Sequence, residues 1–261
     1  MTVAVERGMK RNIKIILEYD GTNYHGWQSQ SGSTRSTIQE TLEQALKELT
    51  GEDVKTHASG RTDAGVHALG HVVNFRTEKR IPAEAWAPAL NHLLPEDVRA
   101  LSSEDVPEDF HARYSATGKI YRYVILNRRA PSALPRSRAW LVERKLNLSA
   151  MRRAAGVLIG KHDFSAFRSS ACGAKTPVRK LTALTRVKRG DFVEILLEAD
   201  AFLMHMARNI VGTLVDVGLG RYAVDAVKKM LSSCDRSKAG RTAPACGLYL
   251  VKVLYRKKYT A

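Results

Sequence analysis

Cysteine is scarce in this 261-residue chain: Cys172, Cys234 and Cys246 are odd in number, far apart and in no Cys-x-x-Cys arrangement. That disfavours both a disulfide framework and a zinc site, and it fits a reducing compartment. No stretch is long and apolar enough to span a membrane, and the start, Met1-Thr2-Val3-Ala4-Val5-Glu6, has no signal-peptide pattern. A cytoplasmic protein with no membrane partner is therefore expected. No clustered acids suit a divalent metal, and no glycine-rich phosphate loop is present, which argues against a metal-dependent nuclease or a phosphotransferase. Internal repeats and low-complexity tracts are also missing. Acidic residues are outnumbered: 26 Asp and Glu face 42 Lys and Arg, leaving +16 and a sequence pI near 9.9. So large an excess is costly in self-repulsion, and a polyanionic partner is its usual explanation. Hydrophobic residues make up 44%, an ordinary globular value. The length is compatible with one large domain or two.

The most informative stretch present is Gly60-Arg61-Thr62-Asp63-Ala64-Gly65-Val66-His67-Ala68. Val54 to Ala58 before it alternates like a strand, and Gly70 to Arg76 after it reads as another. Asp63 is thus expected on a short loop between sheet elements, where a rigid scaffold can hold a reacting group. The same stretch also reads as a tight turn in which Asp63 caps backbone amides. Spacing alone leaves both open.

Asn12 to Asp20 reads as a strand with Ile13, Ile15, Leu17 and Tyr19 on one face, after a loose tail over 1–10. The loop from Gly21 to Gln30 carries Tyr24, Trp27 and Gln28, a surface able to meet RNA, although a lone tryptophan is more often core. Thr37-x-x-Glu40 resembles a capping box, and Gly51 ends the helix behind it. Pro88 is expected to open a short helix over 89–94, and Val98 to Val106 is expected as an edge strand. In the strand from Lys119 to Leu126, Tyr121 and Tyr123 face the same way. Lys119 to Lys145 holds eight basic residues and one acid, a candidate basic arm for phosphates. A helix is expected over 147–160, a hairpin around Arg189-Gly190-Asp191, and further helices over 201–215 and 222–231. Gly247 to Tyr255 reads as a final strand. His162 and Asp163, with no second cluster to complete a site, read as structural. The helix over 201–215 is apolar on most sides yet carries Arg208. A buried arginine requires an acidic partner. Asp63 is the candidate, with Asp200 and Asp216 nearer in sequence and equally able to pair.

These motifs together resemble the tRNA pseudouridine synthase A family. The matching segments are Tyr24 to Gln28, Gly60 to Ala68, Phe110 to Arg113, Tyr121 to Tyr123, His162 to Phe164, Met206 to Gly212 and Ala243 to Tyr249, in the family's order. One departure is His71, where glutamine is expected. The resemblance implies an α+β fold: two ferredoxin-like (RRM-like) halves, 10–110 and 111–261, forming a continuous, mainly antiparallel sheet flanked by helices, with a central catalytic cleft. It also implies isomerisation of uridine to pseudouridine in the anticodon stem-loop of tRNA (positions 38–40) by a homodimer, without cofactor or metal.

In that reaction the base detaches from C1′ of its ribose, rotates and reattaches through C5. A carboxylate adds to C6 or assists at C1′, and the sequence does not choose between them. By resemblance that carboxylate is Asp63, with Arg208 as its basic partner. Tyr121 matches the tyrosine that stacks on the target base and helps proton transfer from C5. A paired base must be flipped out to be reached. Arg61 is placed to fill the vacated space or hold phosphate. Thr62, His67, Trp27 and Gln28 are candidate substrate contacts, and Lys10, Arg11, Arg128 and Arg129 are candidate grips on the backbone. The rival classes are a non-catalytic RNA-binding protein and a nuclease or phosphotransferase.

Overall fold

A computed structural model describes residues 10–29 and 36–259. The tail expected over 1–10 lies outside the described residues apart from Lys10, as does Gln30 of the aromatic-bearing loop.

The first strand, β1 (Arg11–Tyr19), buries Ile13, Ile15, Leu17 and Tyr19, as alternation requires. Removing each of the three aliphatic side chains from water contributes about 1.5–3 kcal/mol before entropy is counted. Helix α1 (Ile38–Thr50) opens on a reciprocal cap: the Glu40 amide donates to Thr37 Oγ1 and the Thr37 amide donates to the Glu40 carboxylate. It closes on Gly51 at φ 71°, where a side chain would be strained. Strands β2 (Thr56–Ala58) and β3 (His67–Thr77), helix α2 (Trp86–Leu93) and strand β4 (Val98–Val106) complete the first half.

The second half runs through β5 (Ala116–Leu126), the two-residue β6 (Trp140–Leu141), α3 (Leu148–Gly156) and β7 (Gly160–Asp163). The β8–β9 hairpin follows (Val178–Arg189, Phe192–Ala199), then α4 (Met206–Gly218), α5 (Ala226–Ser233) and β10 (Leu248–Tyr255).

All ten strands belong to one sheet, ordered β4-β1-β3-β10-β5-β9-β8-β7, with β2 beside β3 and β6 beside β5. Every pairing is antiparallel except β3 with β10 and β5 with β6. The sheet is α+β in class and the ferredoxin-like strand order recurs: β4-β1-β3-β2 in the first half and β10-β5-β9-β8 in the second. Helices α1 and α2 pack together, as do α3 and α4.

Four helix boundaries differ from expectation. Helix α2 begins at Trp86, so Pro88 sits third within it, where the missing N–H has no intrahelical partner anyway. Helix α3 stops at Gly156, and Gly160, at φ 120°, instead begins β7. Helix α4 starts at Met206, because His205 before it has a left-handed backbone (φ 62°) that no α-helix continues through. Helix α5 starts at Ala226, since residues 222–223 are irregular and 224–225 form a turn.

The pairing of β3 positions the site. Its second half pairs with β2 (Thr56↔Phe75, Ala58↔Val73), while its first residues pair with β10 (His67↔Tyr249, Ala68↔Leu250). The intervening 59–66 loop therefore leaves the sheet where β3 changes partner, at the seam between the two halves.

Candidate active site

Asp63 lies on that loop, and three glycines let the chain close around it. Gly26, at φ 81°, has its Cα against the Thr62 carbonyl and the Asp63 backbone, where a Cβ would collide. Gly21 is pressed equally closely against the Val66 carbonyl. Gly65 takes φ 76° at the turn itself. The Trp27 amide donates to the Thr62 carbonyl at 3.1 Å, so the 21–29 loop straps the Asp63 loop from outside. Beneath it, the buried Tyr19 hydroxyl shares hydrogen bonds with Thr62 Oγ1 (2.8 Å) and His71 Nδ1 (2.9 Å).

Across the seam, Arg208 Nη1 donates to Asp63 Oδ2 at 2.8 Å. The same guanidinium uses Nε to donate to the Ala243 carbonyl at 2.8 Å, and the Ala243 amide donates back to the Arg208 carbonyl at 3.1 Å. Gly212 allows this strap, since a Cβ there would collide with the Arg241 carbonyl. A half-buried guanidinium held at two nitrogens has little freedom to swing, so it orients the carboxylate as well as neutralising it. Asp216, the nearer alternative, is taken by Arg221 and Arg241 (2.8 and 3.1 Å), and Asp200 accepts from the amides of Lys180 and Ala201.

His205 also faces Asp63, with Nε2 at 3.4 Å from Oδ2. Sequence reasoning missed this residue, because a left-handed histidine carries no glycine or asparagine signal to announce it. Both partners, Arg208 and His205, approach the same oxygen. Among the described residues Oδ1 accepts no hydrogen bond, and the Asp63 side chain is 27% exposed.

Tyr121, on β5, is 8% exposed and packs edge-on against Phe202 at 4.8 Å. Burial, and then the negative charge of Asp63, push its hydroxyl above the ordinary tyrosine range, so it stays protonated. His71 is fully buried and packs tilted against Trp27, ring centres 4.5 Å apart. Burial and the positive charge of Lys119 push its imidazole down to about 3, so it is neutral at physiological pH.

The remaining expected residues divide. Arg61 is exposed and donates from Nε to Gln28 Oε1 at 3.1 Å, and Gln28 donates in turn to Gln39. These two stand at the open side of the loop. Thr62, His67 and Trp27 are buried, at 7%, 2% and 2% exposure, and each is held by hydrogen bonds within the protein. His67 instead ties segments together: it accepts from the Gly21 amide, its Nε2 lies 3.1 Å from the carbonyls of Ser137 and Cys246, and its ring stacks on Tyr249. Burial holds its pKa below the ordinary value although Asp20 is 3.0 Å away.

Lys10 and Arg11 lie at the opposite end of β1 from Tyr19, a separation of roughly 25 Å at strand rise. Arg11 is already paired with Asp105 at 2.6 Å. Arg128 holds Asp191 and two carbonyls beyond the end of β5, while Arg129 is exposed beside it. The basic arm is not a single element either: Lys119 and Arg122 stand on opposite faces of β5, and Arg138 clasps Asp20 at 2.7 Å. Among the described residues no group of three or more His, Cys, Asp or Glu side chains is arranged to hold a metal, and no helix is long and apolar enough to cross a membrane.

A family model described as tRNA pseudouridine synthase matches residues 15–115 and 154–256. The chain is 51% identical over 245 residues to tRNA pseudouridine synthase A of Acetivibrio thermocellus, covering 94% of this chain and all of that one. It is 49% identical over 245 residues to the protein of the same name in a Thermoanaerobacter species, with the same coverage. Identity to tRNA pseudouridine synthase A of Rhodospirillum rubrum is 45% over 243 residues, covering 93% of this chain and 87% of the other.

Proposed function

The chain belongs to the tRNA pseudouridine synthase family, isomerases that act on tRNA, and from that premise we propose that Asp63 is the catalytic carboxylate for converting uridine to pseudouridine in the anticodon stem-loop. The observation that carries this reading is the asymmetric hold on Asp63: Arg208 and His205 both address Oδ2, and among the described residues Oδ1 accepts no hydrogen bond. A carboxylate fixed through one oxygen keeps the other available to add to C6 or to assist at C1′. The paired guanidinium holds the carboxylate in a fixed orientation for either route. Tyr121, held protonated and partly walled by Phe202, is placed to stack on the flipped base and to take part in proton movement at C5. Arg61, tethered lightly to Gln28 on the open side, fills the gap left in the stem or holds a phosphate. Arg128 and Arg129 grip the backbone further out. The same proposal carries the division into units at 10–110 and 111–261, a cytoplasmic location and a homodimer.

The test is tritium release from tRNA labelled at C5 of uridine, comparing the unaltered protein with Asp63→Ala at equal tRNA binding. Release by the unaltered protein alone is expected, with full activity retained in EDTA. Tight binding of unmodified tRNA without release from either protein would turn the reading to a non-catalytic RNA-binding protein. Release by both would remove Asp63 as the essential carboxylate.

A further inference from the structure

Lys119 projects from the same face of β5 as Tyr121, two residues and about 7 Å along the strand. Its ammonium group fills the space that a side chain at Gly60 would occupy, three residues before Asp63 in the catalytic loop. The directly opposite residues on the neighbouring strands, Ala199 on β9 and Val253 on β10, are apolar and buried. The charged and titratable groups nearby come from other elements: Arg113 from the loop before β5, and neutral His71 from β3. Arg113 is exposed, with its guanidinium 5.6 Å from the ring centre of Tyr114, itself 76% exposed. Among the described residues neither cation has a carboxylate partner or any acceptor for its side-chain nitrogens. Burial, and then the repulsion of Arg113, push the Lys119 amine down to about 8. Two cations that repel each other, one of them desolvated and both without an acid among the described residues, are unfavourable in the isolated protein. An anion placed between them removes that cost.

We propose that Lys119 and Arg113 form a clamp for one phosphodiester of the RNA backbone beside the flipped nucleotide. This rests on the reading that RNA enters the cleft at Asp63. A phosphate is the natural occupant because the ammonium lies one nucleotide's reach from the base-stacking position at Tyr121, and RNA is the polyanion the net charge of +16 already calls for. Arg113 reaches from the exposed side, with Tyr114 beside it as an aromatic platform for a neighbouring base.

The experiment compares Lys119→Met, Lys119→Arg and Arg113→Gln with the unaltered protein, measuring tRNA affinity against salt and pH, tritium release and thermal unfolding. Lys119→Met is expected to raise KM about tenfold, to reduce the log–log salt slope by about one, and to leave kcat at saturating tRNA within about twofold. It is also expected to raise Tm, because an unpaired desolvated charge is removed; a lysine that merely props the loop would lower Tm. Affinity of the unaltered protein should decline above pH 8 as the amine loses its proton, and Lys119→Arg should abolish that decline, since a guanidinium stays charged. Arg113→Gln should reproduce the loss of affinity, with the double variant less than additive. Unchanged affinity and salt slope in Lys119→Met would overturn the clamp, as would a collapse of kcat at unchanged KM. Failure of the unaltered protein to release tritium would instead sink the underlying reading of the site.

Discussion

Arg208→Lys tests whether orientation, beyond charge, governs Asp63. The guanidinium makes two directed hydrogen bonds from different nitrogens, Nη1 to Asp63 and Nε to the Ala243 carbonyl, each 2.8 Å. A lysine keeps the charge, but its single ammonium on a flexible stem cannot occupy both positions. If it follows Asp63, the carbonyl of fully buried Ala243 loses its partner, at a cost of about 1–3 kcal/mol. For a chain of this size that corresponds to a fall in Tm of about 2–12 °C. The carboxylate, no longer held by a fork, drifts by a fraction of an ångström to an ångström, and misplacement of that order costs about 100-fold in the chemical step. Single-turnover tritium release at saturating protein, with tRNA affinity measured in parallel, should therefore show kcat down about 100-fold and affinity unchanged within about twofold. A lysine variant turning over within threefold of the unaltered protein would refute the reasoning, whatever its Tm, because positive charge alone would then suffice.

His205→Gly separates strain from function: relaxing a left-handed non-glycine residue is worth about 1 kcal/mol, so Tm should hold or rise while tritium release falls through loss of the Nε2 contact to Asp63. A fall in both together would recast His205 as a packing residue. His71→Gln addresses acid stability. The folded-state pKa of His71 is depressed to about 3 while the unfolded chain titrates near 6.5, so the unfolded state binds the proton first and stability is lost as pH falls from 6.5 towards 3. Urea unfolding across that window should show the loss, about 1.4 kcal/mol per pH unit at most, flattened in the glutamine variant; an unchanged slope would mean that His71 is not held neutral.

The sequence made some of this architecture legible because one physical cause dominated locally. The recurrence of Ile13, Ile15, Leu17 and Tyr19 at every second position marked the core face of β1, and the Thr37–Glu40 pair marked the start of α1 by its own hydrogen bonds. The Asp63–Arg208 pair was reachable by a different argument: a buried cation needs an acid, and Asp63 occupied the least ordinary loop. Other features were hidden because several causes competed. Hydrophobic periodicity runs unbroken through 203–215, so nothing in the pattern revealed that His205 turns the backbone and that Met204, 43% exposed, lies outside the helix. Trp27 and His67 sit in motifs that read as contact residues, yet each bonds or stacks with the protein itself, a choice set by distant chain segments. Lys10 and Arg11 were judged by charge, and charge carries no information about which end of a strand it occupies.

The seam between the halves also bears on when the protein becomes competent during synthesis. Strand β10 comes late in the chain yet lies in the middle of the sheet, where it supplies the partner for His67 and Ala68 and follows the strap that fastens Arg208. Translation at about 5–20 residues per second puts roughly 10–35 s between the emergence of β3 and that of β10. Throughout that interval the loop bearing Asp63 exists without the strand beside it and without the Ala243 carbonyl that fixes its cation. A chain that ends before β10 therefore lacks the assembled carboxylate, and the fold itself ensures that reactivity arrives last.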